Sequence, residues 1–502
     1  MKYTHALILS TLSLAATACQ SIASEHASVS IYQTTRQGDR LKEIEPLPRT
    51  GRTDYTLTLD PGRTYQTLVG IGGSFTESSA QVLSELSALK REIVLRKYFS
   101  PGGAHYSLTR THIASCDFSV TNYTYAPVPG DTALEHFSIE PDRKYLLPMI
   151  KEAQKIPGAD FKILASPWTA PPWMKTNKTW NGGALLEEHY QTFADYIVKY
   201  IEAYAAEDIA IWGITPTNEP LGNGSNWESL HFTAQEMANW IKNNLGPALQ
   251  AGAPDATLWA YDQNRGHHLN EWADTILGDP EAAQHVDGLA VHWYESTNTV
   301  SSESLDYVHG KYPGKGLLHS EGCIDAMGDD EAVGVWLEDD WYWRKEATDW
   351  GWIWAPEKDK IHHPKYSPFY RYARDLIGGL NHNLVGWIDW NMVLNTRGGP
   401  NHARNFCLAP VLVDSGRDSF HLTPLYYAVA HVSRFFRPGA VRIGLDGHDQ
   451  DVMATACRNS DGSIALAIFN LLEEDKTYTI RLGDKRFSVA IPGQALQSIH
   501  LK

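Results

Sequence analysis

Cysteine is scarce in this chain. There are five in 502 residues, and none has the CxxC spacing of a metal cage. The His pairs at 267–268 and 362–363 do not form HExxH, so no catalytic metal is indicated. The glycines of "GIGGS" (70–74) lack both GxGxxG and the Lys-Ser/Thr of a phosphate loop. No cofactor is expected. Positive charge is also short: 43 basic residues against 59 acidic ones leave a net charge of −16. That excludes the basic footprint of a nucleic-acid partner. Beyond the N-terminal two dozen residues, no apolar run reaches the length of a membrane span.

Aromatics, in contrast, are plentiful, with 17 Trp and 24 Tyr. They suit either a large aromatic core or a ligand with flat, hydroxylated faces, such as a sugar. Six of the tryptophans fall in "WLEDDWYWRKEATDWGWIW" (336–354), interleaved with acids.

The N-terminus carries Lys2, an apolar run from Ala6 to Ala16 and then small residues, which is a secretory signal over residues 1–23. "AATAC" resembles a lipoprotein box with Cys19 as the lipidated residue; simple cleavage near Ala23 is the alternative. The expected location is exported: periplasmic, associated with the outer membrane, or secreted. A lipidated N-terminus is the only membrane contact expected. Export would permit pairing of the remaining Cys116, Cys323, Cys407 and Cys457, but sequence does not reveal which.

Length allows one large α/β domain with a smaller one. Eight apolar runs recur, each followed by polar or aromatic residues and then a helical segment: "TLVGIGG", "HYSLTRTHIAS", "FKILASPWT", "DIAIWGITPTNEP", "ATLWAYDQN", "DGLAVHWYE", "GKGLLHSEG" and "NLVGWIDWN". Amphipathic segments such as Glu77–Phe99, Leu186–Ala206 and Thr233–Leu249 separate them. Strands alternating with helices pair in parallel, and eight repeats predict a (β/α)8 barrel over 67–436. Short alternating strands over 437–502 predict an antiparallel β-sandwich, joined by N-terminal strands from 28–66.

In such a barrel the site lies at the C-terminal ends of the strands. "GITPTNEP" presents Glu219 at the end of the fourth, and "GLLHSEGC" presents Glu321 at the end of the seventh. A helix-start glutamate or a structural ion pair would explain either one alone. Together they suit a glycosidase, in which one carboxyl protonates the leaving oxygen and the other attacks the anomeric carbon.

These residues and their neighbours resemble glycoside hydrolase family 30, within it the branch of the lysosomal glucosylceramidases. The resemblance rests on "GIGGSFTESSA", "ASCDFSVTNYTYA", "LASPWTAPPWMKTN", "TPTNEP", "VHWY", "HSEGC", "GWIDWN" and "GGPNHARNF" and covers nearly the whole chain after the leader. It implies a barrel plus β-sandwich, retention of configuration, Glu219 as acid/base and Glu321 as nucleophile. It also implies that Asn218 holds the sugar 2-hydroxyl and that Arg110 bonds the nucleophile. Trp168, Trp293, Tyr294, Trp390 and Asn405 map to the sugar subsite or the nucleophile's surroundings, with core packing the rival role for Trp293. Asp389 either binds hydroxyls or pairs with a base, and His292 and His319 are expected as hydrogen-bonding supports. Two departures stand out. Glu77 occupies a place where an Asp is usual for gripping distal glucose hydroxyls, and the stretch from Glu321 to Asp389 is longer than in the lysosomal enzymes.

The implied substrate is a β-glucoside: a glycolipid, a β-1,6-glucan or a glucan oligosaccharide, with xyloside or fucoside as further options. A non-catalytic carbohydrate-binding protein and a surface interaction protein are the alternatives of other classes. The Trp-rich stretch is expected as a loop region with short helical pieces beside the carboxylates, one or two rings facing sugar and most packing.

Overall fold

The computed structural model describes residues 29–47, 52–222, 226–325, 335–348 and 356–502. The leader, Cys19, Trp350, Trp352 and Trp354 lie outside the described residues.

The eight apolar runs form a closed parallel barrel whose strands follow chain order around the ring. They are Gly70–Phe75, Leu108–Ile113, Lys162–Pro167, Gly213–Ile214, Thr257–Asn264, Gly288–His292, Gly316–Glu321 and Leu384–Asn391. Side chains alternate inward and outward along a strand. One inward layer is apolar: Leu108, Leu164, Trp259, Ala290, Leu318 and Ile388 pack together and plug the barrel. Two residues further along each strand the same alternation presents Arg110, Ser166, His292, Ser320 and Trp390, all buried. The floor of the site is thus the next layer above the plug.

The glycines of "GIGGS" belong to the first strand. A Cβ on Gly72 would collide with the carbonyl oxygen of Leu108 in the neighbouring strand, so this position admits no side chain.

Two expected helices are broken for visible reasons. Glu77–Phe99 divides into Glu77–Ser84 and Ala88–Phe99, the first capped by Thr76, whose hydroxyl accepts the Ser79 N–H at 3.1 Å. Thr233–Leu249 begins with a capping box between Thr233 and Glu236. It then widens to a π-turn at Ile241–Leu245 before Gly246–Gly252. Pro247, which has no N–H to give the preceding turn, sits where the α-helix resumes.

The second domain is built from both ends of the chain. Nine strands run as one hydrogen-bonded sheet that curls into a sandwich. Tyr478 donates to Gln497 at 2.5 Å across strands that are not neighbours in the sheet, and Ile31, Leu57, Ile480 and Ile499 share one core. Tyr55–Thr67 pairs antiparallel with Val441–Asp446 but parallel with Lys476–Leu482, a mixed pairing in an otherwise antiparallel sheet. Cys116, Cys323, Cys407 and Cys457 are buried free thiols.

The described part of the Trp-rich stretch is a chain of short 3-10 turns at Val335–Leu337, Asp339–Trp343 and Lys345–Thr348. Trp336 donates to the Thr396 carbonyl at 2.8 Å and Trp343 to the Gln494 carbonyl at 3.2 Å. Trp343 also stacks on Phe369, with ring centroids 4.5 Å apart. Asp339 and Asp340 pair with Arg40 and Arg36 of the N-terminal segment at 2.7 and 2.6 Å. Trp336, Trp341 and Trp343 are therefore packing residues; Trp343 reaches the sandwich and Trp336 the loop after strand eight.

Candidate active site

Strict alternation would send some of the barrel's acids to the wrong side of their strands. Local irregularities re-aim them. The pairing between the sixth and seventh strands shifts register between His319 and Glu321, and Glu321 as well as Ser320 then faces the axis. The fifth strand shifts between Tyr261 and Gln263, where Tyr261 and Asp262 have φ of 76° and 55°. Such left-handed backbone is costly for residues with a Cβ, and here it turns the Asp262 carboxyl into the barrel. Glu219 follows the fourth strand with φ 48°, its N–H donating to the Asp262 carbonyl at 2.9 Å.

One buried network results. The Arg110 guanidinium donates to Glu321 through a very short contact, to Asn218 Oδ1 at 2.8 Å and to Asp262 Oδ2 at 2.7 Å. Asp262 also accepts from Thr215 at 2.7 Å and Ser320 at 2.6 Å. Tyr294 donates its hydroxyl to Glu321 Oε1 at 3.0 Å. His292 lies 3.2 Å from Glu219 through Nδ1 and 3.0 Å from Asp262 through Nε2. With a carboxylate on each ring nitrogen, its imidazolium form donates to both.

Burial lowers the proton affinity of His292, but Glu321, Asp262 and Glu219 outweigh it and lift the pKa to about 9. Asp262 is buried, which opposes ionisation, yet Arg110 and His292 hold it well below the usual carboxylate range. Burial pushes the Glu321 carboxyl up and Glu219 adds to this, while His292 and Arg110 pull against both. The ion pair with Arg110 keeps the ionised form of Glu321 within reach.

The ligand atoms of Glu219, His292 and Glu321 lie within 4.8 Å of one another. An imidazolium has no lone pair for a cation, so this cluster suits proton and glycosyl chemistry rather than metal binding.

On one side of the pair the rings of Trp168 and Trp390 stack 5.0 Å apart, with the Arg110 guanidinium 4.8 and 5.5 Å from their centres. Asn405 donates to Asp117 Oδ2 at 3.2 Å, as does Asn401 at 3.2 Å. Glu77 is buried, accepts the Val120 N–H at 3.0 Å, and is pushed up by burial. Asp389 accepts from Tyr372 at 2.6 Å, and burial drives its pKa well up. Trp293 lies behind Tyr294, 4.0 Å from the Arg371 guanidinium and against Tyr372 and Trp387, its N–H bonded to the Cys323 carbonyl. His319 is stacked 4.8 Å from Trp387, and among the described residues neither of its ring nitrogens has a hydrogen-bond partner; it fills space rather than supporting a strand-end residue.

Two residues of this site were not singled out from sequence. Asp262 is one, since only the left-handed turn brings it inward. Asp117 is the other. Burial and the charges of Glu321 and Glu228 raise its pKa to about 7. Its signal was its place in "ASCDFSV", just beyond the second strand.

A parallel eight-stranded barrel with two carboxyl groups facing each other above an arginine, and stacked indoles beside them, defines a glycoside hydrolase. The chain belongs to glycosyl hydrolase family 30. The profile of the glycosyl hydrolase family 30 TIM-barrel domain matches residues 68–341 and 355–436, and that of the family 30 beta sandwich domain matches 439–499. The lysosomal acid glucosylceramidase of Mus musculus is 33% identical over 480 residues, 93% of this chain and 88% of that one. Among solved structures, SrfJ from Salmonella typhimurium superposes with a TM-score of 0.81 at 27% identity, covering 94% of this chain and 99% of that one. The endo-beta1,6-glucanase BT3312 follows at 0.79 and 29%, covering 94% and 98%.

Proposed function

We propose that this chain hydrolyses β-glucosidic bonds with retention, Glu219 serving as acid/base and Glu321 as nucleophile. The observation that carries this reading is that an oxygen of Glu219 and an oxygen of Glu321 lie within 4.8 Å of each other. Retaining glycosidases hold the pair about 5–5.5 Å apart, whereas inverting ones leave about 6.5–9.5 Å for a water. Glu321 attacks the anomeric carbon while Glu219 gives its proton to the departing oxygen. The glycosyl–enzyme ester removes the negative charge of Glu321. Glu219 then takes a proton from a water that attacks the face vacated by the leaving group, which breaks the ester bond to Glu321 and releases the β-sugar.

Arg110 and Tyr294 orient the nucleophile from opposite oxygens. Asn218, fixed by Arg110, is the group for the 2-hydroxyl. Trp168, Trp390, Asn405 and Asp117, with Glu77 beside them, are the groups for the rest of the sugar ring, whereas Asp389 bonds Tyr372 of the helix layer. The names of the relatives point to two aglycones, ceramide and glucan, and we propose that the enzyme meets its substrate after export from the cytoplasm.

Proton NMR of an aryl β-glucoside digest tests the stereochemistry: the β-anomer should accumulate before mutarotation. Glu321→Gln should lose at least about 1,000-fold in kcat/KM. An α-anomer appearing first, or full activity in Glu321→Gln, would sink the assignment; binding of the glucoside without any hydrolysis would favour a carbohydrate-binding role on the same barrel.

A further inference from the structure

Glu219 and Glu321 stand on the fourth and seventh strands, and the line between them divides the barrel mouth. Trp168, Trp390 and Asn405 occupy the side of strands eight and one to three. On the other side, above strands five and six, lies a second cleft of about 450 Å³ that the glucose-binding groups leave unused. That volume is in the range of small-ligand sites.

The two His-His pairs, far apart in sequence, meet there: His267 and His268 from the loop after strand five, His362 and His363 from the segment that precedes helix Pro368–Asn381. Gln263, Asn264 and Glu295 add hydrogen-bonding groups, and Tyr294 adds a ring face, while Tyr261 lies fully buried beneath them. Only Leu221 and Pro356 are aliphatic.

Parts of the cleft are held in place. Glu295 accepts the His267 N–H at 2.8 Å on each oxygen and lies over Gly266, where any Cβ would collide with it. Tyr294 joins the cleft to the chemistry, for its hydroxyl bonds Glu321 while its N–H bonds Asn264 at 2.8 Å.

We infer that this cleft is the leaving-group subsite and that it takes a second sugar rather than an acyl chain, an inference that rests on the retaining β-glucosidase reading above. A pyranose offers C–H faces to the tyrosine and histidine rings and hydroxyls to Gln263, the imidazoles and Glu295. An alkyl chain would cover those groups without bonding them, and each buried polar group left unpaired is penalised. The preferred substrate is therefore a β-linked gluco-oligosaccharide, cleaved so that the released sugar departs through the histidine cleft.

The test compares three substrates on the full chain and on His267→Ala/His268→Ala: an aryl β-glucoside, a β-1,6-linked glucose trisaccharide and glucosylceramide in detergent micelles. The intact chain should favour the trisaccharide over the glycolipid. In the variant the ratio of kcat/KM for trisaccharide to that for aryl glucoside should fall about 10-fold, carried by KM. A ratio unchanged within about twofold, or a loss seen on glucosylceramide instead, overturns the subsite. If the double variant does not fold, as judged by its melting curve, His268→Asn is read in the same way. A wild-type chain inactive on all three substrates would instead overturn the β-glucosidase reading beneath it.

Discussion

Two buried groups, His292 and Asp262, meet the catalytic carboxylates or their partners. His292 looked like a support because it precedes a strand-end pair, and it proves to bridge Glu219 and Asp262. Its pKa of about 9 in the folded chain lies above the unfolded value of about 6.5. The folded state therefore holds the proton more tightly. The stabilisation is fully present below pH 6.5 and drains away as pH rises towards 9. The melting temperature of the wild type should drop between pH 6 and pH 9, and His292→Gln should flatten that drop. Equal slopes in both proteins would show that His292 is not the titrating group. Glu219 and Glu321 were legible because each ends an apolar run. Asp262 was not, because nothing in "WAYDQN" announces that Tyr261 and Asp262 adopt left-handed backbone.

At the level of elements, every barrel strand was legible from its apolar run, since burial on both faces makes parallel strands nearly continuous in hydrophobicity. Interruptions were harder. The division near Glu85 and the π-turn before Pro247 depend on local backbone bonding that apolar spacing does not report. The Trp-rich stretch shows the limit most clearly. Composition suggested sugar, but the described indoles are spent on packing. Trp343 is buried against Phe369 with Arg40 5.1 Å from its ring centre. Trp343→Ala should cost about 3–5 kcal/mol in denaturant unfolding, as truncation of a large buried aromatic does. Its kcat/KM on an aryl glucoside at 20 °C should stay within about twofold of wild type, because the site lies elsewhere. A large KM increase at unchanged stability would return this ring to the substrate.

The molecule as a whole is stitched by its termini. Val29–Thr34 pairs with Leu496–Leu501, and Tyr55–Thr67 lies between Val441–Asp446 and Lys476–Leu482, so the sandwich closes only after the barrel between them has been made. The barrel's last helix, Pro424–Ser433, is fastened to both ends of the chain: His431 lies 2.7 Å from the Ser498 hydroxyl and 2.9 Å from that of Thr34. Sequence showed that strands flank the barrel, but not that the first and last of them are neighbours, because pairing across more than 460 residues leaves no local trace. Two consequences can be measured. Thermal unfolding followed by tryptophan fluorescence and by far-ultraviolet circular dichroism should give coincident single transitions, since Cys457, Ala465, Ala467, Phe469 and Leu496 of the sandwich are packed into the barrel's core. A chain ending at residue 437 should be insoluble: it would expose Ile31, Leu57 and Leu59 and leave two strands with open edges. A soluble, folded and active truncated barrel, or two separate transitions in the intact chain, would show that the sandwich is an appendage and not a clasp.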